Sequence, residues 1–108
     1  MTDKIKHVLN RRMAELESVQ VLQINGKLVI ETANGYVDYN PAEDDAQIHR
    51  LMMKYKVDVV HHNSMIELKI YDDPEDNPVS TVSYWRDEST IHVPALMCII
   101  GYLTGEIV

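Results

Sequence analysis

His61-His62 is the first place where this chain could do chemistry, as a metal site. Successive side chains on a strand point to opposite faces, so adjacent histidines do not readily chelate one ion. No Cys or His pair stands at the local spacing of a zinc site, and the sequence does not join His49 or His92 to the pair. Two ordinary strand-end histidines are expected, with no metal and no cofactor. Cys98 lies within an apolar run, where burial raises a thiol's pKa and makes it inert, so it reads as a packing residue. No Ser occupies a Gly-x-Ser-x-Gly elbow, and four unclustered glycines make no phosphate-cradling loop.

Carboxylates come in pairs at Asp44-Asp45, Asp72-Asp73, Glu75-Asp76 and Asp87-Glu88. Acid–base catalysis needs two carboxyls in contrasting environments. These pairs fall in a helix cap or in polar loops, where water holds both members alike. No residue set specifies a catalytic mechanism, and the chain is read as a non-enzyme. A second constellation, Tyr36, Tyr39, Trp85 and Arg86, offers aromatic faces with one cation. That combination suits a nucleobase or another small ligand. The competing reading is a rim of amphipathic side chains over the core.

Charge distribution gives the strongest functional signal. The formal net charge is -7. Residues 1–60 carry eight Lys/Arg against nine Asp/Glu, whereas residues 61–108 carry two against eight. Six of the latter acids, Asp72, Asp73, Glu75, Asp76, Asp87 and Glu88, lie in two loops that flank one expected strand. An acidic surface repels nucleic acid and attracts basic partners. The expected partner is therefore a protein or nucleoprotein complex with a basic surface, contacted through these six acids, without direct nucleic-acid binding.

The elements that must position these residues fit one domain spanning 1–108. The 45% hydrophobic composition suffices for a core without disulfides. Met-Thr-Asp-Lys-Ile-Lys lacks the apolar run of a signal peptide, and no apolar stretch is long enough to span a bilayer. A soluble cytoplasmic protein without membrane association is expected. Residues 3–17 read as a helix capped by Thr2, with Ile5, Val8, Leu9, Met13 and Leu16 as its apolar stripe. Asn25-Gly26 predicts a two-residue hairpin turn pairing Ile24 with Lys27 and Leu22 with Val29. Both faces of that hairpin are apolar, which predicts cover on both sides.

Tyr36–Tyr39 reads as an extended link. Asn40-Pro41 with Glu43 reads as a capping box opening the second helix, with Ile48, Leu51, Met52 and Tyr55 as its buried stripe. Strands follow at Val57–His62, Met65–Tyr71 and Val79–Trp85. A largely apolar helix over 93–104 ends at Gly105, and residues 106–108 form a tail or a short edge strand. The order α-ββ-α-βββ-α predicts an α+β fold, with one mainly antiparallel sheet of about five strands packed with three helices. Monomer and homodimer both fit, the latter through an open sheet edge or a Met- and Tyr-rich surface.

Tyr39-Asn40-Pro41 entering a helix, a strand-rich middle, and Ser89-Thr90 leading to a Pro94-Ala95-Leu96-Met97 helix that ends in Gly105-Glu106-Ile107-Val108 carry a family likeness. Over about residues 36–108 the chain resembles the NinX-like small proteins of lambdoid phages. The resemblance implies a phage or prophage accessory protein acting in a bacterial host cell. It carries over no activity and no functional residue. By analogy with other small acidic phage proteins, it points to a protein–protein inhibitor of a host defence complex, of which anti-CRISPR proteins are one group.

Overall fold

The tight turn at Asn25-Gly26 starts the fold. In the computed structural model, which describes residues 2–105 with side chains from Lys4 onward, both turn residues have positive φ, 52° and 79°. That geometry matches the right-handed twist of the flanking strands. The register pairs Ile24 with Lys27, Gln23 with Leu28 and Leu22 with Val29. The first strand, β1, is short (Leu22–Ile24), and β2 runs Lys27–Thr32.

Tyr36–Tyr39 is where the sequence expectation fails. Gly35–Asp38 is a third strand, β3, paired antiparallel to β2 with Thr32 opposite Gly35. The Thr32 hydroxyl donates to the Gly35 carbonyl at 2.7 Å and closes the Ala33-Asn34 turn. Among the described residues the order is therefore α-βββ-α-βββ-α, with two three-stranded antiparallel sheets in place of one sheet of about five strands. The α+β class holds. Sheet 1 is β1-β2-β3. Sheet 2 is β4 (Asp58–His61), β5 (Met65–Ile70) and β6 (Ser80–Trp85), in that order.

The first helix, α1, spans Thr2–Leu16. Its buried face is rotated from the expected stripe. Leu9, Met13 and Ala14 are buried, while Ile5 and Val8 are 45% and 57% exposed. Asn10 takes a buried place because its side chain is satisfied: it donates to the Asn40 side-chain oxygen at 2.8 Å and accepts from the Ala42 amide at 2.9 Å. Thr2, the expected cap, is instead the first residue of the helix, and the expected 106–108 tail lies outside the described residues.

The second helix, α2, runs Asp45–Lys54 and is capped by Asp44, whose carboxylate accepts from the Gln47 amide at 2.9 Å. Asn40 does not cap it. Residues 41–43 form a turn in which Asn40 accepts the Glu43 and Asp44 amides through its carbonyl. Both α1 and α2 end in a left-handed residue other than glycine, Ser18 at φ 57° and Lys56 at φ 54°. The Val19 and Val57 amides bond back to the Ala14 and Met52 carbonyls, the closing pattern of a Schellman end.

The third helix, α3 (His92–Thr104), is the most deeply buried, as its apolar sequence predicts. Ala95, Leu96, Cys98, Ile99 and Ile100 pack with Ile66, Leu68 and Ile70 of β5, with Leu9 and Met13 of α1, and with Ile48 and Leu51 of α2. A smaller cluster of Ala14, Leu28 and Tyr39 joins sheet 1 to α1. Only one face of sheet 1 is packed this way. On the other face Leu22, Ile24 and Tyr36 are exposed while Val29 beside Leu22 is buried, so the expected cover on both sides is only partial.

The helix ends make the first prediction. Lys56→Gly should raise stability by about 0.5–1 kcal/mol, since glycine adopts positive φ without a Cβ penalty. Asp44→Ala should lower it by about 1 kcal/mol. Urea unfolding monitored by circular dichroism checks both.

Candidate functional site

Loop 71–79 connects β5 to β6, and its geometry is set at both ends. The Val79 amide donates to the Ile70 carbonyl at 2.8 Å, so the strands resume pairing directly after the loop. Inside it, the Asp73 carboxylate accepts from the Glu75 amide at 3.0 Å, and the Asp73 carbonyl accepts from the Asp76 amide. Such an Asx-type turn holds an apolar-free segment in one shape. The Tyr102 hydroxyl of α3 donates to the Asp72 carboxylate at 2.9 Å and pins the loop to the C-terminal end of that helix. Accepting this bond, Asp72 holds the Tyr102 proton and raises the phenol's pKa.

Asp72, Asp73, Glu75 and Asp76 are all exposed, and among the described residues none forms an ion pair. The last carbonyls of α3 add the negative end of a helix dipole at the same place. Asp58 lies on the same side, opposite Lys69 in register. Lys69 is engaged with Glu67 at 3.2 Å.

Asp87 and Glu88 leave the other end of β6. A six-residue strand spans roughly 17–20 Å, so the two acidic loops stand at opposite ends of that strand. Asp87 and Glu88 share their end with cations. Together with Arg86, Ser89, Thr90 and Val93 they line an open cavity of about 580 Å³ that Ile5 and Lys6 of α1 border. A second cavity, about 530 Å³, lies between α1 and sheet 1 and is lined by Lys6, His7, Asn10, Lys27, Asp38, Asn40 and Glu43 among others. Lys6 is paired with Glu43 at 3.5 Å.

The aromatic constellation is distributed over the fold. Tyr36 is 59% exposed on sheet 1. Tyr39 is buried with Ala14 and Leu28 and also borders the α1–sheet 1 cavity. Trp85 is 56% exposed at the end of β6 in sheet 2, and Arg86 follows it. The Arg86 guanidinium donates to the His62 carbonyl at 3.3 Å and lies 3.4 Å from the His61 ring nitrogen Nδ1. His62 lies 3.5 Å from Glu67. Among the described residues, no group of three or more His, Cys, Asp or Glu is gathered as a metal site would require. Burial pushes the Cys98 thiol's pKa up.

One polar group escaped the sequence reading. Glu17, just past the end of α1, has a side chain only 9% exposed that accepts from Lys54 Nζ and the Tyr55 hydroxyl. Burial works against its charge, but these bonds and the nearby cations outweigh it and hold the carboxyl below its usual range. Tyr39 is buried close by, and its hydroxyl has no hydrogen-bond partner among the described residues. Burial and the negative Glu17 push its pKa up to about 12. The amphipathic pattern of α1 hides Glu17, because a buried carboxylate breaks hydrophobic periodicity.

Among the described residues no helix is long and apolar enough to cross a membrane. Compared with known proteins, the chain matches no protein-family model, no curated protein and no solved structure.

The Glu17 network sets a pH dependence. Its folded pKa lies below the unfolded value, so its stabilisation is full above the usual carboxylate range and is lost as pH falls through the depressed value. Glu17→Gln should cost about 1–2 kcal/mol at neutral pH and flatten the acid limb of the stability–pH curve. Tyr39→Phe removes an unpaired buried hydroxyl and should leave stability unchanged or raise it by up to about 1 kcal/mol. Denaturant titrations at stepped pH values read both effects.

Proposed function

We propose that this chain is a non-catalytic binding protein that docks on a basic surface of another protein through its acidic loops. The observation that carries this reading is loop 71–79: four exposed acids held in a defined turn, without ion-pair partners among the described residues, beside the C-terminal end of α3. A solubilising surface needs charge but no fixed shape. An ordered, unneutralised cluster is suited to steering and registering a cationic partner.

Asp87 and Glu88 extend the contact in this reading. β6 is an edge strand of sheet 2, so a partner laid along its free edge reaches the acids at either end. In keeping with the phage likeness, the proposed role is that of an accessory inhibitor in a bacterial host cell. It would mask a basic site, including the nucleic-acid groove of a defence complex such as a CRISPR effector. Such a groove is lined with Lys and Arg that neutralise phosphates, and fixed carboxylates compete for the same cations.

A pull-down from bacterial host lysate at low salt should retain one protein or complex that high salt releases. Asp72→Lys/Asp73→Lys should abolish its capture, with circular dichroism unchanged. Undiminished capture by the double variant would remove loop 71–79 from the interface.

A further inference from the structure

The backbone of β6 specifies the shape of the basic partner, an inference that rests on the acidic-loop reading above. The Arg86 amide donates to the Ser64 carbonyl at 2.9 Å, and the register sets Tyr84 opposite Ile66, Val82 opposite Leu68 and Ser80 opposite Ile70. Backbone direction alternates along a strand. The N–H and C=O groups of Ser80, Val82 and Tyr84 therefore face β5, and those of Thr81, Ser83 and Trp85 face outward. The Trp85 carbonyl accepts from the Glu88 amide at 3.0 Å. The amides and carbonyls of Thr81 and Ser83, and the Trp85 amide, have no partner among the described residues. Thr81, Ser83 and Trp85 are all exposed, so this edge is open to solvent.

Open edges are ordinarily blunted by lysine, proline or a bulge, which prevent uncontrolled pairing. Ser80–Trp85 contains neither residue, and its register with β5 runs unbroken over six pairs. Thr81, Val82, Tyr84 and Trp85 are residue types that favour pairing. Charge selects what pairs here. Asp72, Asp73, Glu75 and Asp76 precede the strand and Asp87 and Glu88 follow it, all exposed. A second copy of β6 laid antiparallel on this edge would set the four acids of one copy beside the two of the other, and repulsion opposes it. A basic segment meets attraction at both ends. β4, the other edge of sheet 2, is four residues long and carries one acid, Asp58, so it lacks this pattern. The span between the acidic loops is roughly 17–20 Å, which an extended segment covers with about six residues and a helix with about twelve.

We infer that the partner's docking element is an extended basic segment that adds to β6 as a fourth strand of sheet 2, antiparallel like the rest. Its backbone takes the free groups of Thr81, Ser83 and Trp85, and Lys or Arg flanking a core of about six residues reach the two acidic loops. One of these cations lies against the exposed Trp85 indole, whose ring face attracts positive charge. Main-chain bonds supply the affinity of such strand addition, and side chains supply its selectivity.

The probe is the peptide Lys-Lys-Thr-Val-Thr-Val-Thr-Val-Lys-Lys, titrated into the whole chain. Trp85, the one tryptophan, reports binding by fluorescence, and amide exchange followed by NMR reads the same complex. The wild type should bind in a salt-sensitive way, with the Thr81, Ser83 and Trp85 amides slowed. Replacing the two central residues of the peptide by prolines keeps its charge and removes their donors, which should weaken binding about tenfold or more. Replacing its lysines by glutamates should abolish binding. Ser83→Pro removes an edge amide that makes no ladder bond, so the fold survives, as circular dichroism verifies, and affinity for the parent peptide falls by a similar factor. Equal binding of the parent and proline peptides, with the edge amides unchanged, overturns strand addition and leaves the acidic-loop reading standing. No binding of the parent peptide overturns it as well, and the lysate capture then decides the acidic-loop reading by itself.

Discussion

The apolar helix α3 dictates the layout of the molecule. A helix whose residues are hydrophobic around most of its circumference must be covered on several sides. Sheet 2 covers it through Ile66, Leu68 and Ile70, and α1 and α2 cover it through Leu9, Met13, Ile48 and Leu51. Each fully buried aliphatic side chain contributes roughly 1.5–3 kcal/mol relative to exposure. This cluster therefore outweighs the polar contacts around it. Position follows from that burial: the Ser80 hydroxyl donates to the Cys98 carbonyl at 2.7 Å and ties β6 to the helix, and Tyr102 carries the register outward to Asp72. The acidic loop is ordered because its anchor belongs to the best-packed element.

Sheet 1 stands in a different relation to the core. Its buried contact is the small Ala14, Leu28 and Tyr39 cluster, supplemented by polar ties such as Arg11 to Gln23 and Gln47 to the Asp38 carbonyl. Glu17 then links α1 to α2 through Lys54 and Tyr55. Tyr39 is buried there with a hydroxyl that has no partner among the described residues. The charge asymmetry written along the chain thus becomes an asymmetry of the fold. The near-neutral half carries the exposed Leu22, Ile24 and Tyr36, and the acidic half carries the ordered loop.

Where backbone chemistry is local, the sequence reports the structure well. Asn25-Gly26 identified the hairpin and its register, because only certain residues accept two consecutive positive φ values. Alternation in Ile66, Leu68 and Ile70 identified β5 and its buried face. Gly35–Asp38 escaped because all four residues are exposed, so no period marks the strand, and its identity comes from pairing with β2. The start of α2 was misplaced because Asn40 and Asp44 are rival caps, and contacts with Asn10, Glu43 and Gln47 settle Asn40 outside the helix. For the candidate site, the exposure of the acids was legible. Their division between the two ends of β6, and the hydrogen bond that orders one loop, depend on tertiary placement.

The most direct test of the acidic-loop account is amide hydrogen exchange on the complex recovered from host lysate, compared with the free protein. The account predicts slowed exchange over residues 71–79 and along β6, with the outer face of sheet 1 unchanged. Protection centred on β1–β3 or on the α1–sheet 1 cavity, with loop 71–79 exchanging as in the free chain, would contradict it.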